Sequence, residues 1–172
     1  SNSAFGSSAL GTSTTGSSNC AFGTGALASN TTASNNTALG TNTLNQNTTG
    51  TQNVAVGSLA LDANTTAGNQ TAIGYGALSA AQSGSGGNTA VGSLALQNTT
   101  GIFNTAVGAF ALFNNTTASN NTALGFNSLG QNTTGGNNVA VGYDALGDNT
   151  TGAQNVAVGR EALHLNTTAS NN

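Results

Sequence analysis

The chain has 172 residues, among which are one Arg, no Lys, one His and four acidic side chains. Because nucleic acids and anionic membranes are bound by clustered Lys and Arg, so dilute a charge excludes both as partners. No apolar run approaches the roughly 18 residues of a membrane span, and the single Cys20 excludes an intrachain disulfide and is expected to be a small, partly buried filler.

One repeated unit of 17 residues accounts for the whole chain, residues 1–172, as a single array. Its consensus is N-[T/V]-A-[V/L/I/F]-G-x-x-A-L-x-x-N-T-T-[G/A]-x-[N/Q], and we number these positions from the first Asn, so that the first Gly is position 5. Successive position-5 glycines are 17 residues apart, except for one step of 18 and one of 16. They are Gly6, Gly23, Gly40, Gly57, Gly74, Gly92, Gly108, Gly125, Gly142 and Gly159.

The unit is typical of short strands, because Gly and Asn-Thr-Thr interrupt any helical periodicity and the chain has no Pro. We expect one strand through positions 2–4, a corner at the glycine, a second short strand through the Ala-Leu pair, and a polar Asn-Thr-Thr turn. So small a unit buries too little to fold alone, and stacking of copies solves this. The sequence therefore predicts an all-β fold, a parallel β-solenoid or β-roll of ten coils, about 48 Å long at about 4.8 Å per coil.

Two neighbouring positions, 3 and 4, are apolar in every copy, although neighbours on a strand point to opposite faces. We expect Val56 and Leu61, and their equivalents, to form the core. The alanines at positions 3 and 8 would then form a second apolar face that needs a partner chain, and a trimer is expected, with a dimer or a laterally packed fibre as the alternative. This predicted self-association face includes Ala55, Ala60, Ala72, Ala77, Ala106, Ala111, Ala140 and Ala145.

The unit is irregular at residues 79–87, which lack Asn-Thr-Thr and are interpreted as a loop variation that preserves stacking; a functional insertion is the alternative. The Gly-rich part of this segment lacks the lysine and the strand–helix context of a phosphate-binding loop. Because the chain starts and stops in the same phase of the repeat, we expect either a slice of a longer fibre or a subunit that stacks end to end.

The core N-[T/V]-A-[V/I]-G-x-x-A-L, as at residues 53–61, 138–146 and 155–163, resembles the head repeats of YadA-like trimeric autotransporter adhesins. That resemblance implies a trimeric, left-handed parallel β-roll. The full unit, which is longer and carries Asn-Thr-Thr, is similar to the repeats of bacterial and phage proteins described as tail-fibre-domain-like. The resemblance covers essentially the whole chain and identifies no ligand.

The titratable side chains provide little catalytic chemistry. Asp144 and Asp148 are four residues apart, but one pair falls short of the oxygen ligands that Ca²⁺ prefers, so solvated side chains are expected. His164 has no Cys or His partner at metal-binding spacing, and no activated nucleophile lies near Glu161. We expect no enzyme, no cofactor and no metal site.

The repeated Asn-Thr-Thr is a formal acceptor for N-linked glycan. The alternative is that it only provides the turn of each coil, and a second alternative is a threonine ladder that orders water and binds ice. The acceptor asparagines are Asn30, Asn47, Asn64, Asn98, Asn115, Asn132, Asn149 and Asn166.

The function expected from the sequence is a structural or adhesive rod of an extracellular, cell-surface or virion fibre, which associates with itself. The alternative is a surface module that binds glycan, such as a host-surface glycan, or ice. Five aromatic residues distinguish these hypotheses: clustering on an exposed face would favour ligand binding, and mutual packing would favour lateral contacts between fibres. They are Tyr75, Phe110, Phe113, Phe126 and Tyr143.

Overall fold

A computed structural model describes residues 1–80 and 86–172 and contains one strand in each repeat. Every strand has three residues, at positions 2–4 of its unit. The strands are β1 (Ser3–Phe5), β2 (Cys20–Phe22), β3 (Thr37–Leu39), β4 (Val54–Val56), β5 (Thr71–Ile73), β6 (Thr89–Val91), β7 (Thr105–Val107), β8 (Thr122–Leu124), β9 (Val139–Val141) and β10 (Val156–Val158).

The ten strands form one parallel sheet in chain order, with each strand paired in register to the next. Ala55 pairs with Ala72, for example, and Ala72 with Ala90, so equivalent positions lie above one another along the whole array. The sequence from one strand to the next makes one turn of about 17 residues around the interior. The predicted parallel β-solenoid is confirmed.

The interior is filled by positions 3, 8 and 9, which corrects the predicted core. Ala55, Ala60 and Leu61 have no accessible surface, whereas Val56 is only partly buried, on the outside of the sheet. The middle residue of a three-residue strand points away from its two neighbours, and here the middle residue is the one that points inward. Alanine at that position lets the strand approach the opposite wall, where Leu61 fills the remaining space.

The second predicted strand, through the Ala-Leu pair, is wrong, because positions 6–11 form successive tight turns. Leu61 has φ of 52° and Leu59 φ of 61°, both in the left-handed region that an extended strand does not use. The N–H of Ala60 donates to the carbonyl of Gly57 at 3.2 Å, and the N–H of Asn64 to that of Leu61 at 3.1 Å. Left-handed leucine is uncommon, and burial of its side chain in the core offsets the strain.

The asparagines at position 1 form a buried ladder that closes each coil and joins it to the next. The side-chain Nδ2 of Asn53 donates to the carbonyl of Ala67 in the same coil at 2.9 Å. Its Oδ1 accepts the backbone N–H of Gln70, the next position 1, also at 2.9 Å. Each such amide therefore satisfies backbone groups of two coils inside the protein, where an unpaired group is costly.

A second buried ladder is formed by the asparagines at position 12, the first residue of Asn-Thr-Thr. Asn132 Nδ2 donates to Asn115 Oδ1 at 2.9 Å and to the carbonyl of Gly135 at 2.9 Å. In the short sixth repeat Thr99 takes this place, and its Oγ1 accepts from Asn115 Nδ2 at 2.8 Å. Stacking along the axis thus depends on side-chain amides as well as on the sheet.

The irregular segment at 79–87 lies partly outside the described residues, which omit 81–85. The strands before and after it still pair in register, Thr71 with Thr89, so the coils stack across it. Two buried polar atoms nearby, Asn64 Oδ1 and Gln70 Nε2, have no hydrogen-bond partner among the described residues. Gln70 Oε1 nevertheless accepts the backbone N–H of Asn88 at 3.1 Å, so the position-1 ladder continues into the next described coil.

Candidate interaction surface

The outer side of the sheet carries two exposed ladders of side chains, from positions 2 and 4 of each repeat, which together we call the outer sheet face. Position 4 is apolar throughout, and its exposed members include Ile73 at 39% and Leu39 at 50%. Isolated apolar side chains are normal on a surface, but a continuous row that crosses ten strands is a candidate interaction site. The position-4 row is Phe5, Phe22, Leu39, Val56, Ile73, Val91, Val107, Leu124, Val141 and Val158.

Position 2 contributes side chains that are small, β-branched or hydroxylated, and no member of either row is charged. Cys20 belongs to this row and is half-buried, in agreement with the filler that the sequence predicts. Where position 4 is Phe, position 2 is small: Ser3 stands beside Phe5 and Cys20 beside Phe22. The position-2 row is Ser3, Cys20, Thr37, Val54, Thr71, Thr89, Thr105, Thr122, Val139 and Val156.

The alanines predicted as the self-association face lie inside the chain, so that assignment is wrong. All eight are fully buried within a single copy and have no surface to offer a second one. Self-association itself stays a prediction, and the outer sheet face is an apolar surface that is available for it. The buried residues are Ala55, Ala60, Ala72, Ala77, Ala106, Ala111, Ala140 and Ala145.

Four of the five aromatic residues pack against one another beside the sheet, in the C-terminal half of the array. Phe110 contacts Phe113 and Phe126 edge to face, with ring centroids 5.5 and 5.8 Å apart. Phe126 stacks on Tyr143 at 5.6 Å, and the Arg160 guanidinium lies 5.5 Å from the Tyr143 ring centroid. The rings and the guanidinium therefore cover part of one another's surface, while Phe126 remains 47% and Tyr143 50% exposed.

Apart from Asp62, the titratable acidic, His and Arg side chains lie in the last two repeats. His164 Nδ1 lies 3.3 Å from Asp144 Oδ2, and its Nε2 lies 3.6 Å from Asp148 Oδ2, so the fold brings the two carboxylates and the imidazole together. Asn127 Nδ2 also donates to Asp144 Oδ1 at 2.7 Å. Within the described ranges, no three His, Cys, Asp or Glu side chains are placed to hold one metal ion.

Most of the predicted glycan acceptors are inaccessible, because position 12 points inward. Asn47 Nδ2, the atom that would carry the sugar, donates inside the protein to Asn30 Oδ1 at 3.3 Å and to the carbonyl of Gly50 at 2.9 Å. The prediction is therefore wrong for the six asparagines with no accessible surface, which are Asn30, Asn47, Asn64, Asn115, Asn132 and Asn149.

Two predicted acceptors differ from these six. Asn98 is exposed because the short repeat moves Thr99 into the interior place, and its Nδ2 donates to the carbonyl of Phe113 at 3.1 Å. Asn166 is half-buried and donates to Asn149 Oδ1 at 2.9 Å. Glycosylation at Asn98 and at Asn166 stays a prediction.

The threonines that follow the position-12 asparagine support the turn interpretation of Asn-Thr-Thr. Thr133 Oγ1 donates to the carbonyl of Thr150 at 2.9 Å, and Thr48 Oγ1 to that of Thr65 at 3.0 Å. These hydroxyl protons join neighbouring coils and are not available to a ligand.

Comparison with protein-family models, curated proteins and solved structures finds no match to this chain. Among the residues that the structure describes, no helix is long and apolar enough to span a membrane.

Proposed function

We propose that the protein is a stiff structural element of an extracellular, cell-surface or virion fibre, which associates with further copies of itself through the outer sheet face. The observation that supports this proposal is the unbroken apolar position-4 row, from Phe5 to Val158, on the outside of a ten-stranded sheet. The in-register sheet and the two asparagine ladders give the rod its stiffness, because each coil is hydrogen-bonded to the next along the whole axis.

A second copy matches this face better than an unrelated partner does. Its side chains repeat at the spacing of the strands, about 4.8 Å, so an identical copy offers equally spaced side chains over the full length. No charged side chain of the face has to be desolvated. An apolar, uncharged and self-complementary surface is what an association between identical chains requires.

The size of the face favours more than one neighbour for each copy. Ten strands about 4.8 Å apart, with three residues of about 3.3 Å each, give a flat area of roughly 48 by 10 Å. A standard interface buries about 800 Å² on each partner, so this area is small for a dimer. In a trimer each copy also buries the flanking rows, where Tyr75 is 55% exposed and Tyr143 50%, and we expect the trimer.

The experiment is a measurement of mass in solution by light scattering and sedimentation, with electron microscopy of the same sample. We expect a trimer whose rod is about 48 Å long, or filaments built from such rods. The double variant Ile73→Glu with Val107→Glu places two charges on the outer sheet face and should be monomeric, because burying an unpaired carboxylate is costly.

The matched control is Thr49→Glu with Thr134→Glu, which adds the same charges at exposed position 14, away from the sheet. This control should remain a trimer, and both double variants should keep the circular dichroism of the native chain. A native chain that is monomeric at its solubility limit would overturn the proposal.

A further inference from the structure

A second row of N-x-Thr acceptors overlaps the strands and differs from the Asn-Thr-Thr row. Position 17 is Asn in several repeats, and when the next position 2 is Thr, the two are spaced as an acceptor requires. The complete examples are Asn35-Asn36-Thr37, Asn69-Gln70-Thr71 and Asn120-Asn121-Thr122. We propose that Asn35, Asn69 and Asn120 are the sites at which the folded rod carries N-linked glycan.

The asparagine side chains at position 17 lie on the surface, whereas those at position 12 are buried. Asn35, Asn69 and Asn120 are all exposed, and within the described parts of the chain none of their side-chain amides makes a hydrogen bond. Their Nδ2 atoms are therefore free to form a bond outward without breaking any contact that stabilises the coil.

The backbone also holds these residues in a suitable place. Their φ angles are 62°, 60° and 61°, the left-handed region in which Asn is the most easily accommodated residue after Gly. Each N–H donates to the preceding coil, as Asn35 does to the carbonyl of Ser17 at 3.0 Å. The result is a tight, exposed turn that lies two residues before a strand begins, and exposed surface turns are where such acceptors are used.

The group transfer needs a lipid diphosphate-linked oligosaccharide as donor and a transferase of the secretory pathway. The asparagine Nδ2 forms a bond to C1 of the first sugar, and the bond from C1 to the diphosphate oxygen breaks. The lipid diphosphate leaves with the electron pair, and one amide proton passes to the transferase. At position 12 the product could not fold, because the sugar would occupy the place of the buried asparagine ladder.

The test is secretion of the full chain from a eukaryotic host in which a control protein is glycosylated, followed by intact-mass measurement and glycopeptide mapping. The triple variant Asn98→Gln, Asn114→Gln and Asn166→Gln serves as the background, so that the other acceptors that are not fully buried cannot contribute. We expect a mass increase equivalent to three glycans, with the modified peptides containing Asn35, Asn69 and Asn120.

Single substitutions of the position-2 threonines make this test specific. Thr37→Ala, Thr71→Ala and Thr122→Ala should each remove one glycan, whereas Thr→Ser at the same positions should retain it. The matched control is Thr49→Ala, which removes the hydroxyl of the buried Asn47 acceptor and should leave the mass shift unchanged. An unmodified chain, or glycan on position-12 peptides with these three bare, would overturn the proposal. Neither result would depend on whether the copies associate.

Discussion

Leu129 and Leu124 lie five residues apart in one repeat and face opposite environments. Leu129 has no accessible surface, whereas Leu124 ends strand β8 on the outer sheet face and is 37% exposed. A leucine side chain therefore contributes to the stability of the fold at position 9 and is available for association at position 4.

The first prediction follows from this pair. Leu129→Ala should lower the free energy of unfolding by about 2–5 kcal/mol, since it removes buried methyl groups and leaves a cavity. Leu124→Ala should cost less than about 1 kcal/mol in the dissociated chain, but should weaken association. Urea denaturation at low concentration measures the first effect and sedimentation the second. Equal losses of stability would contradict the assignment of inside and outside.

The asparagine ladder at position 1 provides the second prediction. Asn138→Ala removes the acceptor of the Asn155 N–H and the donor to the carbonyl of Gly152, both at 2.9 Å. Each buried group left unpaired costs about 1–3 kcal/mol, so the thermal midpoint should fall clearly. The control Thr151→Ala, at an exposed position, should change the midpoint little. A ladder without energetic importance would give similar midpoints for the two variants.

The third prediction concerns the glycine corner. A Cβ on Gly57 would lie 2.6 Å from the carbonyl oxygen of Gly74 in the next coil, and φ at Gly57 is 123°. At Gly159 φ is 129°, but the nearest atom to an added Cβ is Ala162 Cβ at 3.9 Å. Gly159→Ala should therefore cost only the backbone strain, about 1–3 kcal/mol. Gly57→Ala should cost more, because the coils must also separate, and calorimetry of the two variants tests this order.

The fourth prediction is a dependence of stability on pH that arises from Asp62. Burial raises the pKa of its carboxyl above the ordinary 3.8, and backbone hydrogen bonds offset this only in part. Because the pKa is raised in the folded state, the residue's stabilising contribution is present below pH 3.8 and is lost as the pH rises through the folded pKa.

Asp62→Asn should accordingly raise the urea midpoint at pH 7, and its advantage over the native chain should shrink as the pH falls through the folded pKa and be lost below pH 3.8. Asp148→Asn, at a side chain that is 46% exposed, serves as the comparison at the same pH values. An Asp62→Asn variant whose advantage grows towards low pH would contradict the assigned direction.

Several features of the site could have been recognised in the sequence. Position 3 is Ala in every repeat, while position 4 varies among Phe, Leu, Ile and Val. A narrow interior requires a fixed small volume, whereas an outer surface tolerates variation, so the invariance of Ala55 and its equivalents was the signal for the inside. The acceptors at Asn35, Asn69 and Asn120 could also have been found in the sequence, as N-x-Thr motifs that overlap the boundary between two units.

Other features depended on the folded chain. The contact of His164 with Asp144 joins residues 20 positions apart in adjacent coils, and the column of Phe126 on Tyr143 joins residues 17 apart. The length of the repeat places such residues in neighbouring coils. Only the geometry of the turns decides which positions of the repeat lie side by side on the surface. The left-handed φ of Leu61 is likewise a result of packing, since leucine has no local preference for it.

The sequence by itself determined the repeat length, the in-register parallel stacking and the glycine corners. Units that cannot bury their apolar side chains alone must stack, and identical units stack with identical positions aligned. The tertiary structure decided which of two neighbouring apolar positions faces inward. Alternation along a strand separates Ala55 from Val56, but it does not say which one is inside. The width of the interior, which admits alanine at the strand and leucine opposite, makes that choice, and the invariance of Ala55 and its equivalents is the trace that it leaves in the sequence.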